Sequence, residues 1–180
     1  MVSKFLQESF ESFKLAIVWN RIMRASIHDY YLEMAELVST RATSPHRKVG
    51  AVFVIDTRVI ATGYNGSPRG FPHETEIGCP REELKQQGKI KSGERYELCT
   101  EVHAEINCII QCALYGVSCE GATLYCSTIP CKLCARALVN AKIKEVYIIT
   151  DDMGLDGRDV LAKAKIPVYM KKENGFEKIN

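Results

Sequence analysis

The sequence of 180 residues lacks a long apolar run, a strong excess of either charge and an internal repeat. No stretch approaches the roughly 20 apolar residues of a membrane helix, and the apolar run at residues 15–19 is too short for a signal-peptide core. Lys and Arg number 24 and Asp and Glu 22, so the net charge of +2 gives no general reason to bind nucleic acid or an anionic membrane. We therefore expect a cytoplasmic protein without membrane or nucleic-acid partners.

The length and composition predict a single globular domain with an extension. Apolar residues make up 46% of the chain and charged residues 26%, values typical of a soluble protein that buries its own core. Residues 1–26 are interpreted as an N-terminal helical extension, residues 27–172 as the domain, and residues 173–180 as a C-terminal tail. Residues 63–99 are rich in Gly and Pro and are predicted to be a long loop, which is uncommon unless it is functional.

The hydrophobic pattern predicts an α/β fold. Residues 49–55 and 58–62 are rich in β-branched residues and predict a hairpin with its turn at Asp56-Thr57. After residue 100, helices and strands alternate, which indicates parallel pairing with right-handed crossovers. The helices are expected near 30–40, 102–113, 130–140 and 159–164, and the later strands near 123–126, 145–150 and 167–170. Together these elements predict a mixed five-stranded sheet covered by helices.

Eight cysteines and four histidines provide candidate metal ligands. The most specific pattern is His103-Ala104-Glu105, followed later by Pro130-Cys131-Lys132-Leu133-Cys134. Imidazole and thiolate ligands suit tetrahedral zinc, and a helix start favours the thiolate form of cysteine. Three protein ligands leave a fourth position for water, which distinguishes a catalytic zinc site from a structural one.

Glu105 supplies the group that such chemistry needs beside the metal. It lies two residues after His103, close enough to reach a metal-bound water without binding the metal. The order H-x-E, then P-C-x-x-C, is the signature of zinc-dependent nucleobase deaminases. The alternative is a non-catalytic, zinc-stapled binding module, which would leave Glu105 without a role and would need a fourth ligand.

The sequence resembles the deoxycytidylate (dCMP) deaminases of the cytidine deaminase-like superfamily over about residues 28–170. Besides the zinc motif, the resemblance is carried by three segments. They are Arg47-Lys48-Val49-Gly50-Ala51, the loop Gly63-Tyr64-Asn65-Gly66-Ser67-Pro68-Arg69-Gly70, and Cys99-Thr100-Glu101-Val102-His103-Ala104-Glu105-Ile106-Asn107. The resemblance implies a three-layer α/β/α sandwich in which residues 27–172 form a zinc-binding domain.

The resemblance also implies an activity, the hydrolytic deamination of dCMP to dUMP, which supplies thymidylate synthesis. His103, Cys131 and Cys134 would hold the catalytic zinc, a zinc-bound hydroxide would attack C4 of cytosine, and Glu105 would be the proton shuttle. Asn65, Gly66, Ser67, Lys48 and Arg69 are the candidate substrate contacts. The phosphate candidates are Lys48, Arg47 and Arg69, with the Ser67 hydroxyl as a further donor. Cytidine, dCTP or tRNA adenosine remains open as the substrate, because these deaminases use the same zinc chemistry.

Relatives in this family also suggest a second metal, effectors and assembly. His46, His73, Cys79 and Cys99 are the candidate ligands of a second, structural zinc, although Ser44 and Glu74 stand where some relatives have cysteine. The alternative is an exposed histidine and two buried thiols. The family further implies a homo-oligomer, either a dimer or a hexamer, with activation by dCTP and Mg²⁺ and inhibition by dTTP.

Overall fold

The computed structural model describes residues 24–45, 47–91, 94–95, 98–151 and 157–180. The predicted extension therefore lies almost entirely outside the described residues. The chain divides into two units, Met1–Tyr30 and Tyr31–Asn180. In the described part of the first unit, Ser26 Oγ accepts a hydrogen bond from Asp29 N at 3.1 Å and caps the start of a helix.

The described residues form six helices and six strands. The helices are α1 (Ile27–Ser39), α2 (Glu74–Ile77), α3 (Pro80–Gln86), α4 (Ala104–Tyr115), α5 (Lys132–Asn140) and α6 (Arg158–Lys163). The strands are β1 (Gly50–Ile55), β2 (Arg58–Tyr64), β3 (Thr123–Thr128), β4 (Glu145–Thr150), β5 (Val168–Lys172) and β6 (Gly175–Lys178). Among these helices, none is both long and apolar enough to cross a membrane.

One mixed sheet organises these elements, in the order β2-β1-β3-β4-β5-β6. β1 pairs antiparallel with both β2 and β3, whereas β3, β4 and β5 run parallel. The predicted hairpin turn is correct: Asp56 and Thr57 both have positive φ, 47° and 63°, as a tight two-residue turn between twisted strands requires.

Helices cover both faces of the sheet, which confirms the predicted three-layer sandwich. On one face, Leu32 and Ala35 of α1 pack with Val52 of β1. On the other face, Phe53 of β1 belongs to a core that includes Leu138 of α5 and, from α4 and α6, Cys108 and Leu161. Successive β1 residues are buried on opposite faces because a layer of helices lies over each.

The sheet has six strands rather than five, because the predicted tail of residues 173–180 contains β6. β6 pairs antiparallel with β5 after a two-residue connection, with Lys172 opposite Gly175. Gly175, the first residue after the two loop residues, has φ +122°, a value that favours glycine. Phe176 packs edge-on against the Tyr147 ring, with the ring centroids 5.3 Å apart.

The predicted loop at residues 63–99 is partly helical. It contains the short helices α2 and α3, and Pro80 occupies the first turn of α3, where its missing N–H costs nothing. Glu74 at the start of α2 is buried, and its Oε1 accepts hydrogen bonds from Thr100 N and Thr100 Oγ1 at 3.0 and 2.8 Å. This contact ties the helical insert to the segment just before His103.

Candidate active site

Two helix starts position the predicted metal ligands. His103 is the N-cap residue of α4, and Cys131 is the N-cap residue of α5. Cys131 Sγ accepts a hydrogen bond from Cys134 N at 3.5 Å, so both cysteines of the motif lie at the first turn of α5. The amide groups of that turn favour negative charge, which suits thiolate ligands.

The three predicted ligands come together in the structure. His103 Nδ1 lies 3.5 Å from Cys131 Sγ and 3.3 Å from Cys134 Sγ. Within the described ranges, this is the one group of three or more His, Cys, Asp or Glu side chains whose ligand atoms all lie within 4.8 Å of one another. One imidazole nitrogen and two sulfurs fit the donor set that zinc prefers.

The side chains of the trio shift one another's pKa values in different directions: the pKa of Cys131 is lowered, whereas those of Cys134 and His103 are raised. The pKa of Cys131 is lowered to about 4, mainly because the Cys134 side chain hydrogen-bonds to it, with His103 also contributing. The hydrogen bond between His103 and Cys131 raises the pKa of His103, although burial alone would lower it. The thiolate is the form of cysteine that binds metal, so the lowered pKa of Cys131 favours its ligating form.

Glu105 is buried beside this trio, with 4% of its surface exposed. It lies in the first turn of α4 and lines the same cavity as His103 and Cys131. Burial raises the pKa of the Glu105 carboxyl, because the ionised form loses its hydration. A carboxyl in this environment can both accept and return a proton during a reaction.

The cavity is lined by residues from several separate parts of the chain. Glu105, His103 and Cys131 belong to the metal end, and Ile129 and Thr128 continue the wall from β3. The remaining lining residues are Ser44, Arg47, Val49, Asn65, Glu74, Cys79, Arg81, Glu82, Lys85, Cys99, Glu101 and Ala104.

Asn65 and Arg47 are the predicted substrate contacts that line the cavity, and the Asn65 side chain is also built into the fold. Its Oδ1 accepts from Val49 N at 2.7 Å, and its Nδ2 donates to Arg47 O at 2.8 Å and Glu101 Oε2 at 2.9 Å. Asn65 therefore joins the segment before β1 to the segment before His103. A contact with substrate would have to use its remaining acceptor capacity.

The other predicted substrate contacts are not among the described residues that line the cavity. They are Gly66, Ser67, Lys48 and Arg69. Gly66 pairs with Val102 through two backbone hydrogen bonds of 3.1 and 2.8 Å, so the glycine loop lies against the residue before His103. Ser67 Oγ is buried without a hydrogen-bond partner among the described residues. Lys48 and Arg69 are exposed, and neither is among the described residues that line the cavity.

The candidate ligands of a second zinc are only partly brought together. Cys79 Sγ and Cys99 Sγ lie 3.9 Å apart, and burial is the main reason that the pKa of Cys99 is raised to about 12. His73 is exposed at the N-cap of α2, and His46 lies outside the described residues. In the part of the chain that the structure describes, Cys79, Cys99 and His73 form no metal cluster.

Sequence reasoning missed two cations of the cavity wall, Arg81 and Lys85. Both lie on α3, within the segment predicted as a loop, and they are four residues apart. That spacing places two side chains on one face of a helix, so recognising the helix would have revealed the pair.

Comparison with known proteins places the site in a family. Residues 25–150 match the family described as the cytidine and deoxycytidylate deaminase zinc-binding region. The chain is 40% identical over 156 residues to a deoxycytidylate deaminase of Schizosaccharomyces pombe, covering 85% of this chain and 47% of the yeast protein. It therefore spans about half the length of that relative.

Shorter relatives match over most of their length. The chain is 34% identical over 177 residues to the deoxycytidylate deaminase of Enterobacteria phage T4, covering 83% of this chain and 92% of the phage protein. The crystal structure of a dCMP deaminase from cyanophage S-TIM5 with dCMP and dUMP matches with a TM-score of 0.64 and 28% identity. That match covers 83% of this chain and 99% of the cyanophage chain. With its zinc motif, its fold and these matches, the chain belongs to the cytidine and deoxycytidylate deaminase family.

Proposed function

We propose that the protein is a zinc-dependent deaminase that converts dCMP and water to dUMP and ammonia. The observation that carries this proposal is the position of Glu105, which is buried and lines one cavity with His103 and Cys131 of the His103, Cys131 and Cys134 trio. A structural zinc site needs no buried carboxyl beside its ligands, whereas hydrolytic deamination needs a group that moves protons.

The residues divide the chemistry between them. His103, Cys131 and Cys134 would hold a zinc ion, which when bound activates water for attack on C4 of the cytosine ring. Glu105 would take a proton from the attacking water and deliver protons to ring N3 and then to the departing amine. Its burial excludes bulk water from these transfers.

The choice of dCMP over related substrates is supported by the relatives. Those from fission yeast and phage T4 are named deoxycytidylate deaminases, and the similar cyanophage enzyme is described in complex with dCMP and dUMP. The competing substrates are deoxycytidine, cytidine and dCTP. Turnover of all four, followed by ultraviolet absorbance, tests the proposal. dCMP is expected to react fastest, and a zinc-loaded protein that converts none of them would contradict the proposal.

The variant Glu105→Gln tests the mechanism. We expect kcat to fall by at least about 100-fold, the usual contribution of a positioned acid–base group. Zinc content and melting temperature should remain close to those of the wild type, because the amide has the same shape. Glu36→Gln is the matched control, since Glu36 is exposed on α1 and should retain full activity. If Glu105→Gln retains full turnover, Glu105 is not the proton shuttle.

The zinc content of the same preparations tests the second site. We propose a structural zinc held by Cys79 and Cys99 with His46 and His73, supported by the 3.9 Å approach of the two sulfurs. Two zinc ions per chain are expected, and one ion would leave only the site at His103.

Assembly, regulation and location complete the proposal. A homo-oligomer, dimer or hexamer, is supported by the exposed apolar side chains Leu114 and Tyr115 at the end of α4, and its size can be measured by sedimentation.

Activation by dCTP with Mg²⁺ and inhibition by dTTP rest on the family resemblance, and adding each effector to the dCMP assay tests them. A cytoplasmic location is supported by the eight cysteines, all of which are free thiols.

A further inference from the structure

The wall of the cavity contributed by α3 carries two cations whose role the reaction at zinc does not explain. Arg81 and Lys85 both line the cavity that contains His103 and Glu105. They lie four residues apart on α3, so they project from one face of the helix. Neither belongs to the elements that carry the zinc ligands, which are α4 and α5.

The insert that carries these cations is fixed to the domain. Glu74 is 2% exposed and accepts two hydrogen bonds from Thr100. Cys79, the N-cap residue of α3, is 5% exposed. Arg81 Nε donates to the carbonyl oxygen of Glu94 at 2.7 Å, which orients the guanidinium group. A guanidinium has five N–H donors, so this contact is compatible with holding an anion at the same time.

Three of the four glutamates that line the cavity contact groups other than Arg81 and Lys85. Glu74 accepts from Thr100, Glu101 accepts from Asn65, and Glu105 lies beside the zinc ligands. The fourth glutamate, Glu82, pairs with one of the cations: its Oε2 lies 3.5 Å from Lys85 Nζ. That pair is partly exposed, with 42% of the Lys85 side chain in solvent, so it is a weak contact that an anionic ligand can replace.

A third cation, Arg47, is placed differently. Its Nη2 donates to Thr128 Oγ1 at 3.4 Å, and its backbone carbonyl accepts from Asn65 Nδ2. It therefore lies with the β3 end of the cavity wall. The cations of α3 are left as a separate positive group at the insert.

We propose that Arg81 and Lys85 bind the 5′-phosphate of the substrate and make the enzyme selective for a nucleotide over a nucleoside. This inference rests on the proposed function. When the cytosine ring is at the zinc ligands, the phosphate is the part of the nucleotide that extends away from them. A guanidinium and an ammonium group from one helix face provide charge-assisted hydrogen bonds to its oxygens.

The test compares dCMP with deoxycytidine as substrates of Arg81→Gln, Lys85→Gln and the wild type. We expect kcat/KM for dCMP to fall about tenfold or more in each variant, the usual loss for a charge-assisted contact. The value for deoxycytidine should change less than twofold, because it has no phosphate. Lys89→Gln is the matched control: it removes the same charge from an exposed residue outside the described cavity lining.

Binding of the product provides a second measurement that needs no turnover. Titration calorimetry with dUMP and deoxyuridine should show weaker dUMP binding in both variants and unchanged deoxyuridine binding. Arg81 also donates to the Glu94 carbonyl oxygen, so Arg81→Gln can destabilise the fold. If the melting temperature of Arg81→Gln is lower than that of the wild type, the result for Lys85→Gln alone tests the phosphate contact. Equal losses for nucleotide and nucleoside, or no loss beyond that of Lys89→Gln, would overturn the proposal. If the wild type converts neither substrate, the deaminase proposal fails, and dUMP binding still tests the phosphate contacts on their own.

Discussion

The close approach of β2 to α4 makes Gly63→Ala a strong test of how the fold positions the active site. A Cβ atom at Gly63 would lie 2.2 Å from the Ala104 carbonyl oxygen and 2.9 Å from Cys108 N. Both are backbone atoms of α4, so neither can rotate away. Ordinary contact begins at 3.4 Å, so the helix and the strand must separate by about 3.4 − 2.2 = 1.2 Å.

That separation should affect stability and activity together. Overpacking of this kind costs about 1–3 kcal/mol of unfolding free energy. A displacement of about 1 Å at reacting groups can cost about 100-fold in rate. α4 carries Glu105 and begins just after His103, whereas Cys131 and Cys134 lie at the start of α5. Moving α4 therefore changes the geometry of the proposed zinc ligands as well as the position of Glu105, the proposed proton shuttle.

The assay combines thermal melting, zinc content and kcat/KM for dCMP. Gly63→Ala is expected to lower all three, with kcat/KM falling by about 100-fold. Thr62→Ala is the control, because the neighbouring Thr62 side chain is exposed and the variant gains no atom. If Gly63→Ala melts at the wild-type temperature with activity within threefold, α4 does not depend on this contact, and the positioning argument is wrong.

Two further substitutions separate structural from functional roles. Asn65→Ala removes three hydrogen bonds from a residue that is 5% exposed, so we expect the unfolding free energy to fall by about 2–4 kcal/mol, measured by chemical denaturation. Unchanged stability with a raised KM would instead assign Asn65 to substrate contact alone. Phe176→Ala removes the edge-on packing against Tyr147 and should cost about 1–2 kcal/mol without changing kcat/KM, because β6 supplies none of the described residues that line the cavity. Lost activity at unchanged stability would contradict that separation.

The parts of the molecule that sequence predicted well are those set by periodicity or by metal chemistry. The β1–β2 hairpin follows from β-branched residues around a two-residue turn, and the parallel strands follow from the alternation of helices and strands. The trio of His103, Cys131 and Cys134 is indicated by residue type, since few sites other than zinc need these side chains at helix starts. β6 was missed because it has only four residues, too few for an alternating pattern to show, although Gly175 after the loop is a residue typical of turns.

The cavity wall contributed by α2 and α3 could not be predicted in the same way, and the reason is physical. α2 and α3 have four and seven residues, too few for a hydrophobic period to show, and isolated helices of this length are not stable. They are held by particular tertiary contacts instead, such as Glu74 with Thr100 and Arg81 with the Glu94 carbonyl. The reacting groups start regular helices that pack against the sheet, and their pattern is readable from sequence. The cations on α3 are positioned by an irregular insert, so if they bind the substrate phosphate as we propose, changes confined to the insert would alter the selectivity for a nucleotide and leave the proposed zinc ligands in place.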